Sequence, residues 1–368
     1  MSSRWNPFRD KMTLPLKEYV KKYERHIGAA AIIFGFVWDS ITLARPDQLL
    51  GNIILVTYLI ISAGGILLLA GYAKKGTAVP LLLLALIQFS FGNLAGGFLV
   101  IYGRSGTFEG SFLFLFILGA FIIGNEFLRD KYSRVNFHVS TWFFLSLAYF
   151  VLVVPMVLGR MGDTVFVLSG AISLVVASCF LLVLYLVSKK AASFVLPKTF
   201  FSIVVIFIIF NALYFSNIIP PVPLSLRGIG VYHFVEKTTE GDYKAIYEKP
   251  LWYEFFRDTN KIFNKFEGED AYCFSSVFAP VRMSTGINHR WEYYNEALGN
   301  WRTTTLVSFP IVGGRDSGYR GYSQKSNPPL GRWRCSVETA RGALIGRTTF
   351  NVVIGGVVAP GGLQEKIL

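Results

Sequence analysis

Residues 199–223 read TFFSIVVIFIIFNALYFSNIIPPVP. The first part, Thr199 to Ile219, is an apolar run long enough to cross a bilayer core as a helix, which takes about 20 residues. The second part, Pro220-Pro221-Val222-Pro223, cannot continue a helix and imposes a stiff, extended exit. Upstream, long apolar runs repeat. Downstream, short β-rich runs alternate with turn residues.

Six further apolar runs precede this one: Ile27 to Ala44, Leu49 to Ala73, Ala78 to Tyr102, Gly110 to Gly124, Val139 to Leu158 and Thr164 to Val187. The fourth of the seven is short unless it extends through Asn125 to Leu128. Buried helices of soluble proteins rarely stay apolar around their whole circumference. Strand-like alternation is absent, which sets aside an outer-membrane barrel. The expectation is seven transmembrane helices. Composition agrees: of 368 residues, 52% are hydrophobic and only 16% charged, against about 25% charged in soluble domains.

Basic residues set the orientation. Arg4, Arg9, Lys11, Lys17, Lys21, Lys22 and Arg25 precede the first run, and Lys74, Lys75, Arg129, Lys131, Arg134, Lys189, Lys190 and Lys198 follow on the same side. The opposite side holds Arg45, Arg104 and Arg160. This bias puts the N-terminus in the cytoplasm and, after seven crossings, the C-terminal part outside. The net charge of +13 is thereby mostly an orientation signal, and nucleic acid is not an expected partner. The first run lacks a cleavage site and is expected to remain as a signal anchor.

Beyond the prolines, strands are expected over Ala271 to Phe278, Gly286 to Tyr294, Thr303 to Ile311, Tyr319 to Ser323, Arg332 to Glu338 and Gly346 to Ile354. Their spacing and Gly- or Asn-rich breaks predict an all-β sandwich of immunoglobulin or fibronectin type. Tyr232 to Ile246 suggests a hairpin around Glu240-Gly241-Asp242. Leu251 to Phe266 suggests an amphipathic helix, with Trp252, Phe255, Phe256, Phe263 and Phe266 on one stripe. That stripe packs on its own domain or lies in the outer lipid interface. The organisation reads as a basic N-terminus (1–26), a helical part (27–219), a connecting segment (220–270) and an extracytoplasmic sandwich (271–368).

Inside the membrane part, Asp39, Gln88 and Asn93 are the expensive polar residues. A buried ionisable group there is a functional candidate, although Asp39 lies near Arg45 and its plainer role is a helix-packing hydrogen bond. Gly92, Gly96 and Gly97 form a face for close helix approach. No H-E-x-x-H, zinc-spaced Cys/His cluster or G-x-S-x-G elbow is present, so neither an enzyme, a metal site nor a cofactor is expected.

In the β part, parity puts Trp333, Cys335 and Val337 on one strand face and Arg332, Arg334, Ser336 and Glu338 on the other. Ile287, His289, Trp291 and Tyr293 likewise oppose Asn288, Arg290, Glu292 and Tyr294. Arg290, Tyr294, Arg315, Tyr319, Arg320 and Arg334 form a candidate binding surface for an anionic glycan, a lipid headgroup or an acidic protein edge. The competing reading is structural, with Arg290 and Arg334 paired to Glu292 and Glu338 on an ordinary solvated sheet. Cys273 and Cys335 are a possible disulfide in a compartment that permits one. Alternatively they pack as small hydrophobes, since Cys273 lies between Tyr272 and Phe274 and its facing is ambiguous.

Asn288-His289-Arg290-Trp291, Gly313-Gly314-Arg315-Asp316, Tyr319-Arg320-Gly321-Tyr322-Ser323, Gly331-Arg332-Trp333-Arg334 and Ile345-Gly346-Arg347 together resemble a bacterial C-terminal domain known as domain of unknown function 2914. Gly35-Phe36-Val37-Trp38-Asp39, Asn125-Glu126-Phe127 and Ile218 to Pro223 are similar to the polytopic region that accompanies it. Cys335 departs from the aliphatic residue expected after Trp333-Arg334. The resemblance implies a bacterial inner-membrane protein with an extracytoplasmic β domain, and it supplies no catalytic residues.

The sequence therefore predicts a non-enzymatic inner-membrane protein, in contact with membrane lipids, whose β domain binds an envelope protein or glycan. The alternative is a transporter or translocation component in which the helix bundle does the work.

Overall fold

The computed structural model describes residues 46–75, 77, 79–127, 135–187, 189–254, 257–281, 283–313, 318–355 and 362–368. Six helices lie among them: α1 (Leu49–Lys75), α2 (Leu81–Arg104), α3 (Phe108–Phe127), α4 (Val135–Leu158), α5 (Asp163–Val187) and α6 (Lys189–Phe215). Five of these are long and apolar enough to cross a membrane, and α3 contributes a shorter apolar stretch, Glu109–Ala120. The expected first span, Ile27 to Ala44, lies outside the described residues and takes Asp39 with it.

Helix α4 is the centre of the bundle. Of its most apolar window, 72% is buried, against 17% for α6. Its polar handles anchor it sideways: Trp142 Nε1 donates to the Leu59 carbonyl of α1 at 3.0 Å, and Ala148 accepts from the Tyr102 hydroxyl of α2 at 2.8 Å. Gly96 and Gly97 are buried, as a close-approach face requires. Outward, Ile60, Leu68, Leu82, Phe89, Val175, Leu182, Phe200 and Phe201 are exposed. So continuous an apolar exterior suits lipid rather than water.

The last helix stops short of the prolines. Asn217 adopts φ 57°, and the Ile218 amide reaches back to the Leu213 carbonyl at 2.9 Å, a left-handed cap that Asn tolerates. Ile219 and Val222 then pack onto the bundle, while Leu224 enters the core of the β part.

The C-terminal part is β-rich, with eleven strands among the described residues. They are β1 (Ser225–Tyr232), β2 (Phe234–Lys237), β3 (Tyr243–Glu248), β4 (Ile262–Lys265), β5 (Ala271–Phe278), β6 (Ser284–Asn295), β7 (Asn300–Val312), β8 (Tyr319–Lys325), β9 (Gly331–Thr339), β10 (Leu344–Ile354) and β11 (Leu363–Ile367). They form a sheet β1-β5-β8, a sheet β4-β10-β9-β6-β7 and a third sheet β11-β3-β2. The first two enclose Val231, Phe263, Cys273, Trp291, Trp333, Cys335 and Phe350. The third closes over the other face of β5 through Tyr232, Val235, Ala245 and Phe274. Immunoglobulin-type sandwiches consist of two antiparallel sheets. Here β4 runs parallel to β10 and a third sheet is added.

The six expected strands are present, each extended by a residue or more except β5, which matches at both ends, and the hairpin expected over Tyr232 to Ile246 runs from Phe234 to Glu248 as β2 and β3. The amphipathic helix over Leu251 to Phe266 is not present. Turns follow Leu251, and β4 occupies Ile262–Lys265. The cause is local. Asp258, Thr259 and Asn260 spend their side chains on backbone amides: Asp258 Oδ2 accepts from Ile229, Thr259 Oγ1 from Val231 and Asn260 Oδ1 from Ile262. Such residues compete with helical hydrogen bonding. The stripe is consequently divided, with Phe263 buried and Trp252 86% exposed. Phe255 and Phe256 lie outside the described residues.

Candidate functional site

Strands β6, β7 and β9 present one outer face of the five-stranded sheet. Antiparallel register places Glu292 beside Arg334, Asn288 beside Glu338, and Tyr294 beside Trp301 across the hairpin. Arg290 pairs with Glu338 at 2.8 Å. Arg334 grips Glu292 with two prongs, Nε at 2.5 Å and Nη2 at 2.9 Å. The cross-strand pairing is thus the arrangement found for both arginines. Burial raises the Glu338 carboxyl above its usual range even though Arg290 opposes the shift. Arg347, on β10, donates to Ser336 Oγ at 2.9 Å and reaches Glu109 of α3 at 3.3 Å.

The pattern changes at the end of this face remote from the helices. Arg332 lies over the Tyr294 ring at 4.6 Å and the Trp301 ring at 5.8 Å. Arg334 lies over Trp301 at 4.4 Å, and the Tyr294 and Trp301 rings are 5.1 Å apart. Arg332 is exposed, and among the described residues it has no carboxylate partner. The result is two guanidiniums and two rings in one cluster, with a single carboxylate, Glu292, committed to Arg334.

The other candidate residues lie elsewhere. Arg320, on β8, pairs with Asp242 at 2.9 Å and binds the Leu368 carbonyl, tying the first sheet to the third. Tyr319 packs beside the core cluster of Val277, Ile287 and Ile311. Arg315 lies outside the described residues. The fold therefore keeps Tyr294 and Arg334 together and separates them from Tyr319 and Arg320. Trp301 and Arg332 are additions to the site. Arg332 shares strand parity with Arg334, and Trp301 mirrors Tyr294 about the Asn295–Asn300 turn, so both were within reach of the pattern.

Cys273 and Cys335 are joined as a disulfide that bridges β5 of one sheet to β9 of the other. The fold also brings His289 against them, with the potential ligand atoms within 4.8 Å of one another. Linear spacing gave no hint of this trio. The sulfurs are bonded to each other, while His289 Nε2 meets Ser275 Oγ at 2.7 Å and Nδ1 meets Ser323 Oγ at 2.9 Å. With every donor already engaged, this is a cross-linked core rather than an open metal site. Burial pushes the His289 imidazole down to about 3, so it is neutral and one serine hydroxyl must donate to it.

In the bundle, Asn93 Nδ2 donates to the Phe89 carbonyl of its own helix at 2.8 Å. Where the helices meet the β part there is a cavity of about 340 Å³, lined by Val151, Pro155, Phe166, Tyr214, Asn217 and Arg341 among others, and by neither Gln88 nor Asn93.

These features define a class: an apolar helix bundle carrying a C-terminal β-rich part with an arginine–aromatic tip. Residues 284–352 match the family model described as "Protein of unknown function (DUF2914)". The match spans both Arg–Glu pairs, Trp301, Arg332 and Cys335, and it excludes Cys273 and the helices. No curated protein matches the chain. Among solved structures, Pseudomonas fluorescens alkylpurine DNA glycosylase AlkC bound to DNA containing an abasic site analog aligns at 11% identity over 83% of this chain and 100% of that one. Its TM-score of 0.23 carries no argument.

Proposed function

We propose that the chain is a non-enzymatic bacterial inner-membrane protein that holds its β part on the extracytoplasmic side, where the tip binds an anionic envelope glycan. The membrane reading draws on the five long apolar helices, and the outside location on the basic-residue bias and the disulfide. One observation carries the binding reading: exposed Arg332 is held over Tyr294 and Trp301 without a carboxylate of its own. Flat rings offer sugars rigid amphipathic area, and a guanidinium fork matches a carboxylate in two-pronged geometry.

The test uses the full chain in mild nonionic detergent, passed over immobilised polyuronate and over a neutral glucan. Retention on the polyuronate alone is expected. Arg332→Gln should weaken it about tenfold, the worth of one charge-assisted hydrogen bond, and Trp301→Ala should weaken it by a similar factor through the lost ring surface. Arg332 is the informative arginine. Removing Arg334 or Arg290 strands Glu292 or Glu338, both almost fully buried, and perturbs folding. Equal retention on both matrices, or variants that bind like the parent, would end the proposal.

A further inference from the structure

The cavity between helices and strands sits where α4 ends, α5 begins and α6 has just terminated. Three polar ties surround it. Arg341, in the β9–β10 turn, pairs with Asp163 of α5 at 2.8 Å and lies over the Tyr214 ring of α6 at 4.2 Å. Asn217 donates to the Arg341 carbonyl at 3.5 Å, and the Ser284 amide donates to the Gly159 carbonyl at 3.0 Å. The rest of the wall is largely apolar: Val151, Pro155, Met161, Phe166, Ile219 and Val222.

Two buried polar atoms on this wall lack a hydrogen-bond partner among the described residues, Asn217 Oδ1 and Arg341 Nη1. The Arg341–Asp163 contact is a charge pair by distance, but the Nη1 hydrogens are not aimed at the carboxylate as a hydrogen bond. Leaving a buried donor and acceptor unmet is costly, and a native structure usually meets them. The unmet pair specifies a complementary ligand: an anionic acceptor for the guanidinium, a hydroxyl donor for the amide oxygen and an apolar portion for the wall. A volume of about 340 Å³ falls at the small end of ligand sites, enough for a headgroup and the upper part of one chain.

We infer that this junction cavity binds a hydroxylated, phosphate-bearing membrane lipid, its phosphate on Arg341, its headgroup hydroxyl on Asn217 and its first methylenes against Phe166 and Val151. The inference rests on the membrane reading of the helices and is independent of glycan binding at the tip. Arg341 is already held by Tyr214 and Asp163, so the lipid phosphate completes its coordination and fastens the β part to the bundle.

Native mass spectrometry of the full chain in nonionic detergent tests this, with phosphatidylglycerol and phosphatidylcholine of identical chains as probes. One phosphatidylglycerol should be retained in preference, by about tenfold, because phosphatidylcholine has no hydroxyl to meet the buried Asn217 oxygen. Ala340→Trp, at an exposed turn position on the cavity wall, should occupy the cavity and abolish that retention. Arg341→Gln should weaken retention of both lipids, and Asn217→Gly, which keeps the left-handed cap at φ 57°, should equalise them. Arg332→Gln, at the remote tip, should change neither. Unaltered phosphatidylglycerol retention in Ala340→Trp would overturn the assignment, as would equal retention of both lipids by the parent. Displacement of the lipid by soluble glycerol phosphate at matched concentration would show that the headgroup alone is recognised, and would overturn the lipid assignment too.

Discussion

His233 is gripped from both sides. Its Nδ1 lies 2.7 Å from Glu269 Oε1, its Nε2 lies 3.1 Å from Glu248 Oε1, and its ring stacks on Phe263 at 4.3 Å. Burial alone would lower its pKa, but the hydrogen bonds to Glu248 and Glu269 outweigh it and hold the imidazolium above the usual histidine value. Burial would likewise raise Glu248, yet His233 and the Asn264 amides hold it low. A raised histidine stabilises fully below its unfolded pKa and loses that contribution as pH climbs through the folded one. A lowered carboxylate stabilises above its unfolded pKa and loses that contribution as pH falls through the folded one. The clasp is therefore strongest between the ordinary glutamate and histidine values. His233→Gln should cost on the order of 3 kcal/mol near pH 6, because it leaves buried carboxylates uncompensated. Its deficit against the parent should shrink in alkaline buffer, and parallel pH–melting curves would refute the clasp. None of this was legible in the sequence, since the partners lie 15 and 36 residues away and only the fold brings them together. Strand parity placed Arg290, Arg334, Glu292 and Glu338 on the faces opposite the tryptophans and so admitted cross-strand Arg–Glu pairs, but which arginine meets which glutamate is decided by the register of β6 against β9.

Among the elements, the facing of strands with clean alternation could be read and that of strands buried on two sides could not. Strand β9 shows Trp333, Cys335 and Val337 inward, as parity demands. Strand β5 defeated the same reading because Cys273 faces the main core while Phe274 is buried beneath the third sheet, so both of its faces are apolar. Strand β1 escaped notice because Gly228 and Gly230 dilute its pattern. At Gly230 the glycine is required, as a Cβ there would lie 2.7 Å from Thr259 Cγ2 and 2.9 Å from the Tyr232 ring. The disulfide couples β5 and β9 across 62 residues of chain, and opening such a loop is worth about 4 kcal/mol in the chain-entropy model. Reduction, or Cys335→Ser, should lower the unfolding midpoint of the β part by on the order of 10 °C, followed by the fluorescence of Trp291 and Trp333 beside the bridge. An unchanged midpoint would mean the sheets are held by packing alone.

At the scale of the molecule, hydropathy separated the helices from the strands at the prolines among the described residues. What it could not supply was how the halves meet, because Arg341 with Asp163 and Arg347 with Glu109 are encounters between residues far apart in sequence. The disulfide has a mechanical consequence for such an assembly. Tyr294, Trp301 and Arg332 all fall inside the loop it closes, so a tip attached to the envelope would be tethered through a covalent ring. Stretched between Ser225 and Ile367, the oxidised β part should withhold those 62 residues from extension, about 200 Å of contour. Single-molecule pulling before and after reduction should show that difference, and identical extensions would mean the ring is open under load. Closed, the ring is a stop: were the tip anchored, the polypeptide between it and the helices would pay out only so far and hold the tip on a short leash.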